Sequence, residues 1–220
     1  MTAPRSTGEQ ALGVDVSSQT LERLRLYDAT LHRWQAVHNL VSATTLPDLW
    51  RRHFADCWQL SDLAPLSCRW IDMGAGAGFP GLVIALAMME KEAGGVVDLV
   101  EPNQRKVAFL REVIRLTGAP ARVHAVAIED AAVLHGMEVG VVTARAFTNL
   151  EKLCGLAQPF VDKGAVALFP KGQDIDVELT TATRYWNIGY QSFPSRTAAN
   201  SVIVRIDKLI RKSSSSEDYP

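Results

Sequence analysis

The chain predicts an α/β fold: a mostly parallel, twisted sheet with helices on both faces, preceded by a helical extension. Two observations carry that prediction. A glycine-crowded stretch, Gly74-Ala-Gly-Ala-Gly-Phe-Pro-Gly81, directly follows the apolar run at Trp70, as when a buried strand breaks into a loop and then a helix. Beyond it, short apolar runs alternate with amphipathic segments, the order expected of parallel strands and crossover helices. At 220 residues the chain is long enough for one such domain and short for two.

Each element has its own signal. Residues 1–17 are polar and aperiodic and are expected to form a mobile arm. The extension, 18–66, begins with Leu21, Leu24, Tyr27, Leu31 and Trp34 at three- and four-residue spacing, which predicts an amphipathic helix. A second helical run is expected from Leu46 to Leu63, with Pro47 at its start and Trp50, Phe54 and Trp58 on one face. The main domain, 67–210, then reads as a strand at Trp70, a helix over 82–89, a strand over 96–100 ending in Glu101, and a helix over 104–116 closed by Gly118. Strands follow at 122–126 and 139–143, a helix at 150–160, a strand at 165–169, and an antiparallel pair around 185–193 and 201–207. Residues 211–220, rich in serine and poor in apolar side chains, are expected to be a disordered tail.

Composition removes several classes of function. Hydrophobic content of 47% with 21% charged residues is that of a soluble globular protein, not a disordered or fibrous one. No apolar run reaches membrane-spanning length, and the first residues lack the apolar core of a signal peptide, so a cytoplasmic protein is expected. A net charge of −1 argues against a generic electrostatic nucleic-acid binder while leaving local patches open, such as Arg51, Arg52 and His53, or Arg105, Lys106 and Arg111. Cys57, Cys68 and Cys154 have no paired spacing, so they read as small buried hydrophobes, and no metal site is expected.

The loop points to a cofactor. Gly76-Ala-Gly78-Phe-Pro-Gly81 fits the dinucleotide fingerprint G-x-G-x-x-G, in which pyrophosphate rests on a helix N-terminus. Asp72, two residues before Gly74, would repel a pyrophosphate and suit a cationic ligand such as S-adenosylmethionine; the alternative reading is a solvated or helix-capping carboxylate. Glu101, at the end of the second strand, stands where open α/β folds place a carboxylate for ribose hydroxyls. Arg145 and Lys171 fall after later strands, at the same edge of the sheet. An arginine there needs a ligand or an ion pair to offset its burial.

Several segments together resemble the bacterial small-subunit ribosomal RNA 7-methylguanosine methyltransferase G family, also called glucose-inhibited division protein B. They are His38-Asn-Leu-Val-Ser42, Arg52-His-Phe-Ala-Asp56, Ile71 to Gly81, Asn103 to Arg111, Ala127-Ile-Glu-Asp130, Thr143-Ala-Arg-Ala-Phe147 and Lys171-Gly-Gln173. Most other methyltransferases with a glycine loop lack the pairing of Gly-Phe-Pro-Gly with a distant Arg-Ala-Phe. The chain departs from the family in reading Asp56-Cys57 where Asp-Ser is common.

The resemblance implies a Rossmann-like class I fold and S-adenosylmethionine as cofactor. It implies methylation of a guanine N7 in 16S ribosomal RNA of the small subunit. Separately, a monomer is expected. It also implies cofactor contacts at Gly74, Phe79, Ile128, Glu129 and Arg145, to which the loop reading adds Asp72, Gly76, Gly78 and Glu101. Guanine N7 has an in-plane lone pair and needs no general base, so catalysis is expected to be alignment. Arg145 and Lys171 are the expected catalytic groups, holding O6 or a phosphate. Phe79 and Phe147 are possible stacking partners, with core packing expected for Phe147. Two alternatives remain: a nicotinamide-dependent oxidoreductase, and a non-catalytic RNA-binding or ribosome-assembly protein.

Overall fold

The computed structural model describes residues 7–131, 134 and 136–213. Its centre is a seven-stranded sheet in the order β3-β2-β1-β4-β5-β7-β6. The strands are β1 (Arg69–Met73), β2 (Val96–Val100), β3 (Ala121–His124), β4 (Val141–Thr143), β5 (Val166–Lys171), β6 (Trp186–Pro194) and β7 (Val202–Arg211). The first five run parallel; β7 lies antiparallel between β5 and β6. The chain steps outward from β1 through β2 to β3, then returns to place β4 on the other side of β1, so a crevice opens above the carboxyl ends of β1 and β4.

Alternation along the strands builds a core on each face. Trp70, Val97 and Leu99 join one cluster with α2 (Ser18–Gln35), α4 (Gly81–Glu90) and α5 (Gln104–Thr117). Ile71, Met73, Val100 and Val142 join the other, with α6 (Leu150–Val161) and α7 (Ile175–Tyr185). The predicted helix starts and stops have physical causes. Ser17 Oγ accepts from Thr20 N at the start of α2, Asn103 and Asn149 cap α5 and α6 in the same way, and Gly118, at φ 68°, ends α5.

Four expectations need revision. Residues expected as an arm are ordered from α1 (Thr7–Gln10) onward, where buried Leu12 and the Glu9 to Arg25 ion pair tie the chain down; residues 1–6 lie outside those described. The helical run at 46–63 is not a single α-helix. It passes through 3₁₀ turns at Leu46–Asp48, a π-helical segment at Trp50–Ala55, a short α3 (Asp56–Trp58) and another 3₁₀ turn at Gln59–Asp62, with Trp50, Phe54 and Trp58 buried as expected. The final strand reaches Arg211, inside the segment expected as tail, because it pairs along β6 as far as Trp186; residues 214–220 lie outside those described. Helix α7 was not anticipated. Its Val177, Thr180, Thr181 and Thr183 are poor helix formers, and only Ile175 and Ala182 are buried, so it carries little apolar period to read.

Candidate active site

Above the carboxyl ends of β1, β2 and β4 lies a cavity of about 570 Å³ whose walls include Gly74, Gly76, Phe79, Glu101, Arg145 and Phe147. The loop after β1 forms its floor. Val100 O accepts from both Gly74 N and Ala75 N, which holds the loop against the end of β2. Gly74 has φ 74°, and a Cβ there would run into the Phe147 ring. Gly78 has φ 88°, and a Cβ would come within 2.6 Å of the Tyr27 hydroxyl. That hydroxyl donates to Ala77 O, and the Tyr27 ring stacks on Phe79 at 5.3 Å. The extension thus supports the loop from beneath.

The two carboxylates of the sequence reading separate here. Glu101 faces the cavity: Oε2 accepts from Gly76 N at 2.8 Å and Oε1 from Asn103 N at 2.9 Å. Asp72 does not line it. Fully buried on the α4 side of the sheet, its Oδ2 accepts from Gly81 N at 2.8 Å at the start of α4, while Oδ1 has no partner among the described residues. Burial, with a smaller push from Glu101, raises the carboxyl to about 7. Asp72 is therefore the helix cap of the two readings, because its side of β1 packs on α4 instead of opening to the crevice.

Arg145 joins the extension to the sheet. Its Nη1 donates to His53 Nδ1 at 3.1 Å, and its Nη2 donates to Arg52 O at 2.7 Å and lies 3.3 Å from Asp56 Oδ2. Since a guanidinium only donates, His53 accepts at Nδ1 and carries its proton on Nε2, toward Thr45 Oγ1 at 2.9 Å. Burial, then the charges of Arg145 and Arg52, lower the imidazole to about 3. His53 is neutral and buried, and leaves the expected basic patch to Arg51 and Arg52, which are exposed. Asp56 is held in turn by Ser195 and Thr197 hydroxyls and by Gln59.

Beside the first cavity, sharing Arg145 and Ala146 with it, is a second of about 320 Å³ that also meets Asp56, Thr148, Lys171 and Glu178. Lys171 belongs to this second cavity. Its ammonium is not free, since Nζ donates to Thr148 O at 3.0 Å and to Glu178 Oε2 at 2.7 Å.

Ile128 and Glu129 do not reach the walls of either cavity: Ile128 is buried in the core beyond β3, and Glu129 is exposed, 3.7 Å from Lys152 Nζ. Phe147, expected in the core, is instead 39% exposed over Gly74. Ala146 before it takes φ 51°, and this left-handed turn lifts the ring out of the sheet. Sequence reasoning missed the roles of His53, Thr45 and Glu178. The first lay within the quoted Arg52 to Asp56 motif; the others carried no local signal.

Comparison with known proteins gives a consistent result. Residues 20–201 match the family described as rRNA small subunit methyltransferase G. A protein of Bradyrhizobium sp. (strain ORS 278) named ribosomal RNA small subunit methyltransferase G is 50% identical over 90% of this chain and 89% of its own. One of the same name from Nitrobacter hamburgensis is 45% identical over 96% of this chain and 82% of its own. Among solved structures, a SAM dependent methyltransferase from Aquifex aeolicus superimposes with a TM-score of 0.53 at 12% identity, over 74% of this chain and 93% of that one; this is a likeness of fold.

Proposed function

Because the chain belongs to the rRNA small subunit methyltransferase G family, we propose that it transfers a methyl group from S-adenosylmethionine to N7 of a guanine in 16S ribosomal RNA. The observation that carries this reading is the cavity between Glu101, the glycine loop and Arg145. Its volume is within the usual range for small-molecule sites. Gly74 lets the Phe147 ring lie against the loop because it lacks a Cβ, Glu101 offers a carboxylate at a fixed position, and Phe79 and Phe147 supply apolar ring surface. This mixture suits a nucleoside with an aliphatic sulfonium arm.

Glu101 would hold the ribose hydroxyls, and the backbone of Gly74 and Gly76, with the Phe79 ring, would bound the amino-acid portion. Asp72 and Gly78 contribute from behind, by fixing where the loop turns into α4. Ile128 and Glu129, on the 3₁₀ turn after β3, lie outside this cavity and would meet the adenine edge only where the cofactor extends past its wall. When bound, the cofactor supplies an electrophilic methyl group. This chain's own residues provide alignment: no proton must leave N7, so no general base is needed. Arg145, common to both cavities, holds the target base at their junction, and Lys171 organises the far wall. On this reading the protein works as a monomer on small subunits in the cytoplasm.

The test is incubation with methyl-labelled S-adenosylmethionine and small ribosomal subunits from cells lacking this modification, followed by nucleoside analysis. Label in 7-methylguanosine is the expected result. Cofactor binding without label would overturn the RNA assignment. Binding of NAD in place of S-adenosylmethionine would favour the oxidoreductase.

A further inference from the structure

The second cavity lies beside the one assigned to the cofactor and is built with polar order. Its floor is the end of β4 and β5, one side is Asp56 with its hydroxyl partners, and the far end is the pair Lys171 and Glu178. Glu178 is held in place twice, since its Oε2 accepts from Lys171 Nζ at 2.7 Å and from Leu150 N, the first residue of α6, at 2.6 Å. Both bonds fall on the same oxygen. Oε1 has no hydrogen-bond partner among the described residues, and the side chain is 26% exposed, on a residue that lines the cavity.

Resting on the function proposed above, we propose that the second cavity receives the flipped target base and that Glu178 selects guanine by accepting its N1–H and N2–H. The geometry of the purine supports the orientation. N7 and O6 lie on one edge of guanine and the N1–H and N2–H donors on the other side of the ring. A base with N7 toward the cofactor cavity, past Arg145, turns its donor edge toward the Glu178 end. Oε1 is a pure acceptor, and its two lone pairs can take both adjacent donors while Oε2 stays with Lys171 and Leu150 N. Adenine offers a lone pair at N1 in the same place, which a carboxylate repels.

The pairing also favours the reaction. As N7 takes up the methyl group the base becomes cationic, and its N1–H and N2–H become stronger donors. An acceptor fixed on that edge therefore binds the transition state more tightly than the substrate. Lys171 on this reading is a positioning residue: it holds Oε2 so that Oε1 faces the base. The cavity mouth continues into a cleft lined by Arg51, Arg52, Gln173 and Asn200, where flanking phosphates would pass.

The experiment compares small-subunit RNA carrying guanosine or inosine at the single methylated position, after mapping has located it. Inosine keeps N7, O6 and N1–H but lacks the N2 amine. The wild-type protein is expected to prefer guanosine in kcat/KM by roughly 10- to 100-fold, the effect of one charge-assisted hydrogen bond. In Glu178→Gln the preference should fall to within about threefold, with S-adenosylmethionine affinity unchanged by equilibrium dialysis. Equal wild-type rates on the two RNAs would overturn the proposal whatever the variant does, as would an undiminished preference in a folded Glu178→Gln. Failure of the wild type to methylate any RNA would instead count against the function itself, which separates the two conclusions.

Discussion

Asp72→Asn isolates the energetic consequence of putting a carboxyl group under the glycine loop. Asp72 is fully buried, accepts one hydrogen bond from Gly81 N, and has its carboxyl raised from 3.8 to about 7, chiefly by burial. A raised carboxyl means that the folded protein holds this proton over a range where the unfolded chain has lost it. Stability therefore falls as pH rises from the unfolded value through the folded one, and levels off above it. The full shift corresponds to about 4 kcal/mol at 1.36 kcal/mol per unit, of which more than half is lost between pH 5 and pH 8. Asparagine keeps an oxygen for Gly81 N and has no charge to bury, so its contribution is flat with pH. Urea unfolding of both proteins at pH 5 and pH 8 gives the comparison. The difference between them should move by about 2–3 kcal/mol in favour of asparagine as pH rises. A difference independent of pH, or moving the other way, would refute the reasoning and mean that Asp72 is ionised in the folded protein.

Three further outcomes follow from the same contacts. Arg145→Ala leaves Asp56 Oδ2, His53 Nδ1 and Arg52 O without the guanidinium; methylation should fall by at least about 100-fold with a loss of roughly 2–4 kcal/mol in chemical denaturation, and full activity would remove Arg145 from the site. Tyr27→Phe deletes the hydroxyl bond to Ala77 O while keeping the stack on Phe79, so stability should fall by about 1 kcal/mol and S-adenosylmethionine should dissociate several-fold faster in stopped-flow measurements. Gly74→Val places a branched side chain at φ 74° and against Phe147; cofactor binding should be lost in dialysis while the far-UV spectrum remains that of the folded protein.

Much of the fold was legible because its signals are local. The strands at Trp70 and Val96 are short apolar runs closed by turn residues, and the helix after Asn103 has an acceptor cap at one end and Gly118 at the other. The glycine loop announced a cofactor site for the same reason, since positive φ at Gly74 and Gly78 is a demand of the backbone itself. What escaped depends on partners far away in the chain. Neutral His53 is explained only by Arg145, buried beside it, and a reading of Arg51-Arg-His as one basic cluster cannot see that contact. The face that Asp72 takes is decided by the one-residue alternation of β1, which the sequence leaves open when Ile71 and Met73 are as apolar as Trp70. Helix α7 is poor in helix formers and is held by its acidic first turn and by packing against α6.

Tyr27 beneath the loop and Arg145 between Arg52 and Asp56 have a consequence for how this protein fails as well as how it works. The extension contributes Thr45 and His53 to the cavity that the sheet contributes Glu101 and Arg145 to, so neither piece contains a site by itself. Loosening the seam between them would open the binding surface without breaking any pairing within the sheet. Ligand affinity in this protein is thus a gauge of whether the two parts of the chain are docked, and damage confined to the extension would register first as weakened binding by a sheet that is still intact.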